Sequence, residues 1–292
     1  MFFNDDPTSI AVRPVATPVG TPGYFTDGNP GLGQAATIVQ NDFLNTVQDE
    51  LMNLVLAAGL APNKFNNAQV LQALRQIIAG RNFRLIYTSA NFVVPPGVVA
   101  VRATVVGAGG SGGGTTSCTA TQISVAAGGN SGTIGVGNVL NLVPGASIAV
   151  TVGLGGQWLG GANATSSPGG SSSFGPYISA PGGNGPGFNV PANPPPLIQS
   201  GYPTVAQAAG GFINSYESVG RPSLGIGALN FLSGAGGNCG IYGAGGDPVA
   251  STSANGNGAL GFGSGGSGGA TGPSATAKAG GAGAQGMVLV EW

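Results

Sequence analysis

Ala100–Gly114 reads AVRATVVGAGGSGGG. Its first half, Ala100–Val106, is rich in β-branched residues and predicts a strand, while its second half has almost no side chains. Upstream, PPG at Pro95–Gly97 predicts a turn that separates this strand from a second candidate, Phe83–Thr88 (FRLIYT). Downstream, Ser147–Val152 (SIAVTV) follows the turn sequence VPGA and again alternates apolar and small residues. The chain ends in QGMVLVEW. As a strand, this puts Met287, Leu289 and, weakly, Glu291 on one face and Val288, Val290 and Trp292 on the other. A low-complexity linker does not end this way. Hydrophobic residues make up 41% of the chain and the net charge is −1, a combination that also argues against disorder.

The glycine needs its own account. Of 58 glycines only seven precede residue 97, so about a quarter of the remainder is glycine, against an ordinary ~7%. Each glycine loses more backbone entropy on folding than any other residue, so runs such as Gly107–Gly114 and Gly263–Gly269 are costly to order. Either they stay mobile, or the missing side chains let backbones approach as in polyproline-II packing, with N–H and C=O groups in mutual reach. The expectation adopted is partial ordering of these runs on a β platform.

Gly107, Gly109 and Gly112 spell G-x-G-x-x-G directly after the strand, the pattern of a dinucleotide site. That site also needs a helix at the last glycine and an acidic residue about 20 positions on. The chain instead continues GGTTSCTATQISV, with no Asp or Glu between Glu50 and Glu217, so the match is read as chance. Lys64 and Lys278 lack the context of a phosphate-binding loop. Asn163-Ala-Thr165 fits a glycosylation acceptor, but the acidic start MFFNDDPTSI is not a secretory signal, and the match is read as coincidence.

Composition excludes more than it identifies. There is no histidine, which removes Ser–His–Asp and Cys–His mechanisms and imidazole metal sites. Beyond Arg102 the only charges are Glu217, Arg221, Asp247, Lys278 and Glu291. Glu217 and Asp247 could in principle form a carboxylate pair, but acids this sparse are read as solvated or structural. No enzyme, catalytic residue, metal or cofactor is expected. Eight basic residues give no footprint for a nucleic acid, and no run of 18 apolar residues predicts membrane insertion. Cys118 and Cys239 lie far apart in glycine-rich settings and are read as free thiols, with a single bridge as the alternative.

Three zones follow. Residues 1–36, rich in Pro, Gly and Asn, read as an extended attachment segment without a core of its own. Residues 37–80 read as a helical hairpin. Thr37 and Gln40 fit a capping box, and Leu44, Val47, Leu51, Leu54 and Ala58 form a 3–4–3–4 stripe closed by Gly59. The second helix is expected from Asn67 to Ile78, with Val70, Leu71, Leu74, Ile77 and Ile78 as its apolar face. Packing within one chain and an oligomeric collar are equally compatible with the stripe. Residues 81–292 read as a glycine-rich, β-sandwich-like domain, so the fold class is mainly β behind a short helical segment. Among the loop aromatics, Tyr177, Tyr202, Tyr216, Tyr242 and Trp158 are the candidates for an exposed binding surface, because a flat ring offers apolar area at low entropic cost. The competing reading is that such rings fill a sparse core. The Pro-rich Val190–Pro203 reads as a surface loop.

Two stretches resemble one family. Gly23–Leu74, with FTDGNP, the spacing of Leu44, Asn45, Val47, Gln48 and Glu50, and then AAGL, resembles the N-terminal region of bacteriophage tail fibre proteins. FVVPPGVVAVRATVVGAGGSGGG, with IAVTVGLGG, GGSSSFG and GAGAQGMVLVEW, is similar to the glycine-rich domain at the distal end of phage fibres and adhesins. The resemblance implies a homotrimer, a place in the virion tail, and an N-terminus docked on tail or baseplate proteins. It also implies recognition of a host-surface glycan or outer-membrane protein. Only about Gly80–Ala90 separates the two regions, where long fibres carry a shaft, so the resemblance points to a short fibre or baseplate appendage.

Overall fold

The computed structural model describes residues 2–79, 82–157, 166–193, 197–202 and 205–292. The chain divides into two compact units, Met1–Arg81 and Asn82–Trp292.

In the first unit, helix α1 spans Asn41–Ala57 and helix α2 spans Gln69–Ala79. α1 ends as the sequence predicts. Gly59 is left-handed (φ +72°), its N–H donates to the Leu56 carbonyl and the Leu60 N–H to the Val55 carbonyl. This paired cap swings Leu60 back onto the helix pair. There Val55, Ala58 and Ala73 are buried, with Leu54, Leu60 and Val70 packed around them. The capping box does not form. α1 begins after Gln40 without a side-chain cap, because Thr37 is engaged elsewhere, its N–H donating to the Thr26 carbonyl and its hydroxyl accepting from the Thr26 N–H. The N-terminal segment lies along the polar side of α1. Asn4 N–H donates to Gln48, the Arg13 guanidinium to Asp49 and Thr46, and Thr17 to Asp42.

Among its described residues the second unit holds sixteen short strands. They are β1 (Phe83–Ile86), β2 (Ala90–Val93), β3 (Val101–Val106), β4 (Ser124–Val125), β5 (Ile134–Val139), β6 (Ser147–Thr151), β7 (Ser172–Phe174) and β8 (Ile178–Ala180). They continue with β9 (Leu197–Gln199), β10 (Ile213–Asn214), β11 (Ser223–Gly227), β12 (Asn230–Leu232), β13 (Gly243–Ala244), β14 (Leu260–Gly261), β15 (Ala270–Thr271) and β16 (Met287–Glu291). One sheet has the order β1-β16-β3-β5-β10 and another β2-β6-β7-β8. Ile86, Val101, Ala103, Val105, Val288 and Val290 of the first sheet share one core with Phe92, Ile148, Val150, Phe174 and Ile178 of the second. This is a sandwich whose two inner faces interdigitate. The alternation in MVLVEW places Val288 and Val290 inward, and the Trp292 ring meets Phe92 edge-on at 5.5 Å. PPG and VPGA form matching turns, each with proline second and a left-handed glycine third (Gly97 φ +78°, Gly145 φ +83°). The Val98 N–H closes the first onto Pro95 and the Ala146 N–H closes the second onto Val143.

Beyond the sandwich the glycine runs are ordered and buried, not partly ordered as the sequence suggested. From Gly107 onward successive N–H groups point in three directions. Those of Gly107, Gly110 and Gly113 donate to the carbonyls of Thr133, Asn130 and Ala127 at 2.9–3.0 Å. Those of Ala108 and Ser111 donate to Gly170 and Ser167, and those of Gly109, Gly112 and Thr115 to Ala284, Gly281 and Lys278. A three-residue repeat without internal hydrogen bonds is the polyproline-II helix. The same segment accepts bonds from Gly156, Gly183 and Gly266, so it has six neighbours in a lattice of extended helices. Gly263–Gly269 is a second such centre, bonded to segments containing Gly110, Gly129, Gly237, Gly246, Asn257 and Gly281. Spacing this close leaves no room for a Cβ. One placed at Gly109 would overlap the Ser264 carbonyl oxygen, and one at Gly112 the Ser267 carbonyl oxygen.

Strand and lattice are continuous. β3, β6 and β8 run directly into the helical segments at Gly107, Gly153 and Pro181, and the segments ending at Thr133, Gly170 and Gly286 run back into β5, β7 and β16. The sandwich ladders therefore fix the register of the lattice. Among the described residues, lattice helices connect at both ends: Cys239, Tyr242 and Phe262 turn beside the sandwich against Val106 and Met287, and other connections turn at the far end, remote from the sandwich.

Candidate functional site

That remote end carries a small core of its own. Ile123, Val125, Phe231, Val249 and Ala270 are buried together, with Leu197 and Ala254 against them. β4 and β15 pair there, and a three-stranded sheet, β12-β11-β9, covers the cluster. In its register Leu197, Gly225 and Phe231 lie side by side on the inner face, where the absence of a side chain at Gly225 admits the tip of Ile123. The opposite register row is Ile198, Leu224 and Leu232, all exposed. The β11–β12 hairpin adds Ile226 and Leu229, also exposed.

The tyrosine candidates do not form one surface. Tyr177 sits on the β7–β8 turn, at the end of the sandwich away from the lattice, its ring 6.3 Å from Phe174. Tyr202 lends its carbonyl to the Asn130 side chain, and Tyr216 lies in a bridge with Gln207. Both rings are exposed on the flank of the unit. Tyr242 is half-buried against Val106, Cys239 and Met287, the core-filling alternative. Trp158 lies outside the described residues, as do Asn163–Thr165. Sequence reasoning favoured rings and passed over the aliphatic row, because Ile and Leu in strand-like runs read as core. The usable signal was that Leu224, Ile226 and Leu232 stand in a region with too few apolar partners to bury both faces of a sheet.

Glu217 is buried and serves as a lattice tie. Its carboxylate accepts from Asn130 Nδ2 at 2.8 Å, from the Ala206 N–H at 3.2 Å and from Asn184 Nδ2 at 3.4 Å. Asp247 is exposed and its backbone carbonyl accepts from Asn257. The glycines of the G-x-G-x-x-G match are buried in the lattice centre, and their amides are spent on neighbouring carbonyls. Cys118 and Cys239 are both free and buried. Burial pushes the Cys118 thiol up and the Cys239 thiol up to about 12.

In the first unit the predicted stripe divides. Ala58 is buried and Leu54 packs within the hairpin, while Leu51 is half-buried and Leu44 and Val47 stay 57% and 41% exposed. On α2, Leu71, Leu74 and Ile77 are exposed too while Val70 packs inward, and the Ile78 side chain lies outside the described residues. No helix among the described residues is long and apolar enough to cross a membrane.

A β-sandwich continued by a lattice of close-packed glycine helices makes up the second unit. Residues 87–292 match the glycine-rich domain family, and the chain belongs to that family. Over 57 residues it is 39% identical to an uncharacterized protein of Escherichia coli (strain K12) named StfP. The match spans 20% of this chain and 27% of that protein, about a quarter of the relative's length.

Proposed function

We propose that the chain is a non-enzymatic structural protein of a bacteriophage virion, a short tail fibre or baseplate appendage that works outside the host cell. In this reading residues 1–80 assemble as a homotrimer and grip a tail or baseplate protein, and the glycine-rich unit presents its remote end to the host surface. The observation that carries it is the separation of roles within the second unit. The lattice admits almost no side chains, so any recognition must be written in the connections, where exposed aliphatic and aromatic side chains stand. The N-terminal resemblance to tail fibres, the membership of the glycine-rich family and the likeness to StfP support the same reading. The exposed apolar residues on both helices supply a surface for trimer contacts. The test is a virion carrying the chain without residues 103–292. Particles should assemble and fail to adsorb. Normal adsorption would leave a purely architectural role in the tail and remove the adhesive half of the proposal.

A further inference from the structure

Asp247 and Pro248 are exposed residues between two fixed ones. Gly246 is buried in the lattice, its N–H donating to the Gly265 carbonyl and its carbonyl accepting from the Gly236 N–H. Val249 is buried in the far core, its N–H donating to Ser233 Oγ and its carbonyl accepting from the Ser233 N–H. We propose that the Asp247–Pro248 bond is a self-cleavage site, opened by the Asp247 carboxyl with water as the only co-reactant. This is an activity of the chain itself, separate from the role proposed above. A cut there severs the tether between lattice and far core.

The chemistry follows from the two residue types. An aspartyl side chain ordinarily reacts with the next backbone nitrogen, which closes on the carboxyl and leaves the chain intact. Proline has no N–H, so that route is shut. The remaining route is attack by a side-chain carboxylate oxygen on the carbonyl carbon of the same residue, a step favoured by its proximity. The new C–O bond closes a five-membered anhydride through an oxyanion, and the C–N bond to Pro248 breaks as its nitrogen takes up a proton. One water then opens the anhydride. The products are a chain ending at Asp247, with two free carboxyls, and a second chain beginning at Pro248. Acid favours the reaction, because the leaving nitrogen needs a proton and, once protonated, does not attack again.

The fold equips this bond. Nothing among the described residues bonds the Asp247 carboxylate, which leaves it free to turn onto its own carbonyl. That carbonyl accepts from Asn257 Nδ2 at 2.9 Å, so a donor already stands where negative charge will develop. Asn257 is itself fixed, its N–H donating to Ser267 Oγ and its carbonyl accepting from the Ser267 N–H. The chain's other Asp–Pro bond, Asp6–Pro7, lacks a free nucleophile. The Asp6 carboxylate accepts from the Thr8 hydroxyl at 2.6 Å and the Thr8 N–H at 2.9 Å, which hold it below its ordinary 3.8. Its carbonyl has a donor as well, the Ser9 N–H at 2.8 Å, so the two bonds differ at the carboxylate.

The test incubates the purified full chain at pH 4 and pH 7, folded and in urea, and follows fragments by denaturing gel and mass. The folded chain at pH 4 should yield residues 1–247 and 248–292, more slowly at pH 7. The Asp6–Pro7 bond should open at least tenfold more slowly than Asp247–Pro248. In urea, where both bonds lose their surroundings, the two rates should converge. Asp247→Ala should abolish the cut. Asn257→Ala keeps the backbone bonds to Ser267 and should slow the cut about tenfold in the folded chain, a modest factor because the donor works at an exposed site. In urea the same variant should cut like wild type, which separates the donor from any change in the bond itself. Equal rates at the two bonds in the folded chain, or a cut at 247–248 no faster folded than in urea, would overturn the inference. So would the same fragments from Asp247→Ala, or a folded Asn257→Ala chain that cuts as fast as wild type.

Discussion

Gly112→Ala tests whether the lattice is held by backbone approach. The added Cβ would overlap the carbonyl oxygen of Ser267, a rigid main-chain atom inside the second lattice centre. The two segments must part, at an overpacking cost of about 1–3 kcal/mol. Parting them strains the 2.9 Å bond from the Gly269 N–H to the Gly113 carbonyl, and a buried donor left unpaired adds about 1–3 kcal/mol. Reduced freedom of the unfolded chain returns about 0.4–1 kcal/mol. The net loss is about 1–6 kcal/mol, or roughly 2–20 °C in Tm for a unit of this size. Gly187→Ala is the matched control. A Cβ there meets nothing within 4 Å, so the same exchange should be neutral or slightly stabilising. Thermal and denaturant unfolding of the two variants beside wild type reads the difference. If Gly112→Ala melts within half a kcal/mol of Gly187→Ala, close backbone approach does not hold the lattice.

Glu217→Ala removes the acceptor shared by Asn130, Asn184 and Ala206. It should cost about 2–4 kcal/mol in the same melts, against less than about 0.5 for the exposed Asp247→Ala. The hydroxyl and N–H of Thr17, with Arg13 nearby, hold the Asp42 carboxyl below its ordinary 3.8. Because the folded value is the lower one, this fastening is complete above 3.8 and is lost as pH falls through the folded value. Hydrogen exchange at the Thr17 amide should therefore accelerate as pH drops below 3.8, beyond the intrinsic trend, and a Thr17 amide as fast at pH 5 as in a peptide would contradict the contact. Neither cysteine should react with iodoacetamide at pH 8 in the folded chain, and both should react in denaturant. Rapid native labelling of Cys239 would show that its burial is wrong. Val47→Asp places a charge on the exposed part of the α1 stripe and should convert a trimer to monomers by mass in solution. An unchanged mass would move the assembly contact elsewhere.

What could be read in advance was local. The cap at Gly59, the two Pro-Gly turns and the inward faces of Val288 and Val290 each depend on a few adjacent residues, and their chemistry is visible in any window that contains them. The lattice is the opposite case. Thr115 reaches across 163 residues to Lys278, and helices without side chains leave no hydropathy period to detect. A faint sign was present. The only side chains inside the two central runs, Ala108 and Ser111 in one and Ser264 and Ser267 in the other, are spaced by three. That is the repeat of the helix they belong to. The capping box misled for a related reason, since the Thr37 hydroxyl is engaged by Thr26, a partner outside the helix pattern.

The last stretch before the chain ends has an outsized part in assembly. Residues 279–286 neighbour both lattice centres, and β16 lies between β1 and β3 in the larger sheet. The first glycine run therefore leaves the ribosome with all three sets of its acceptors still unmade, and the set at residues 278–284 comes last. At about 5–20 residues per second, Gly109 waits on the order of ten to thirty seconds for Ala284. The waiting run Gly107–Gly114 carries only the Ala108 and Ser111 side chains, so it has little to stick with during that interval. A product that stops short of residue 279 lacks both the strand between β1 and β3 and the helix shared by the two lattice centres. Closure of both lattice centres and of the larger sheet therefore waits on residues 279–291.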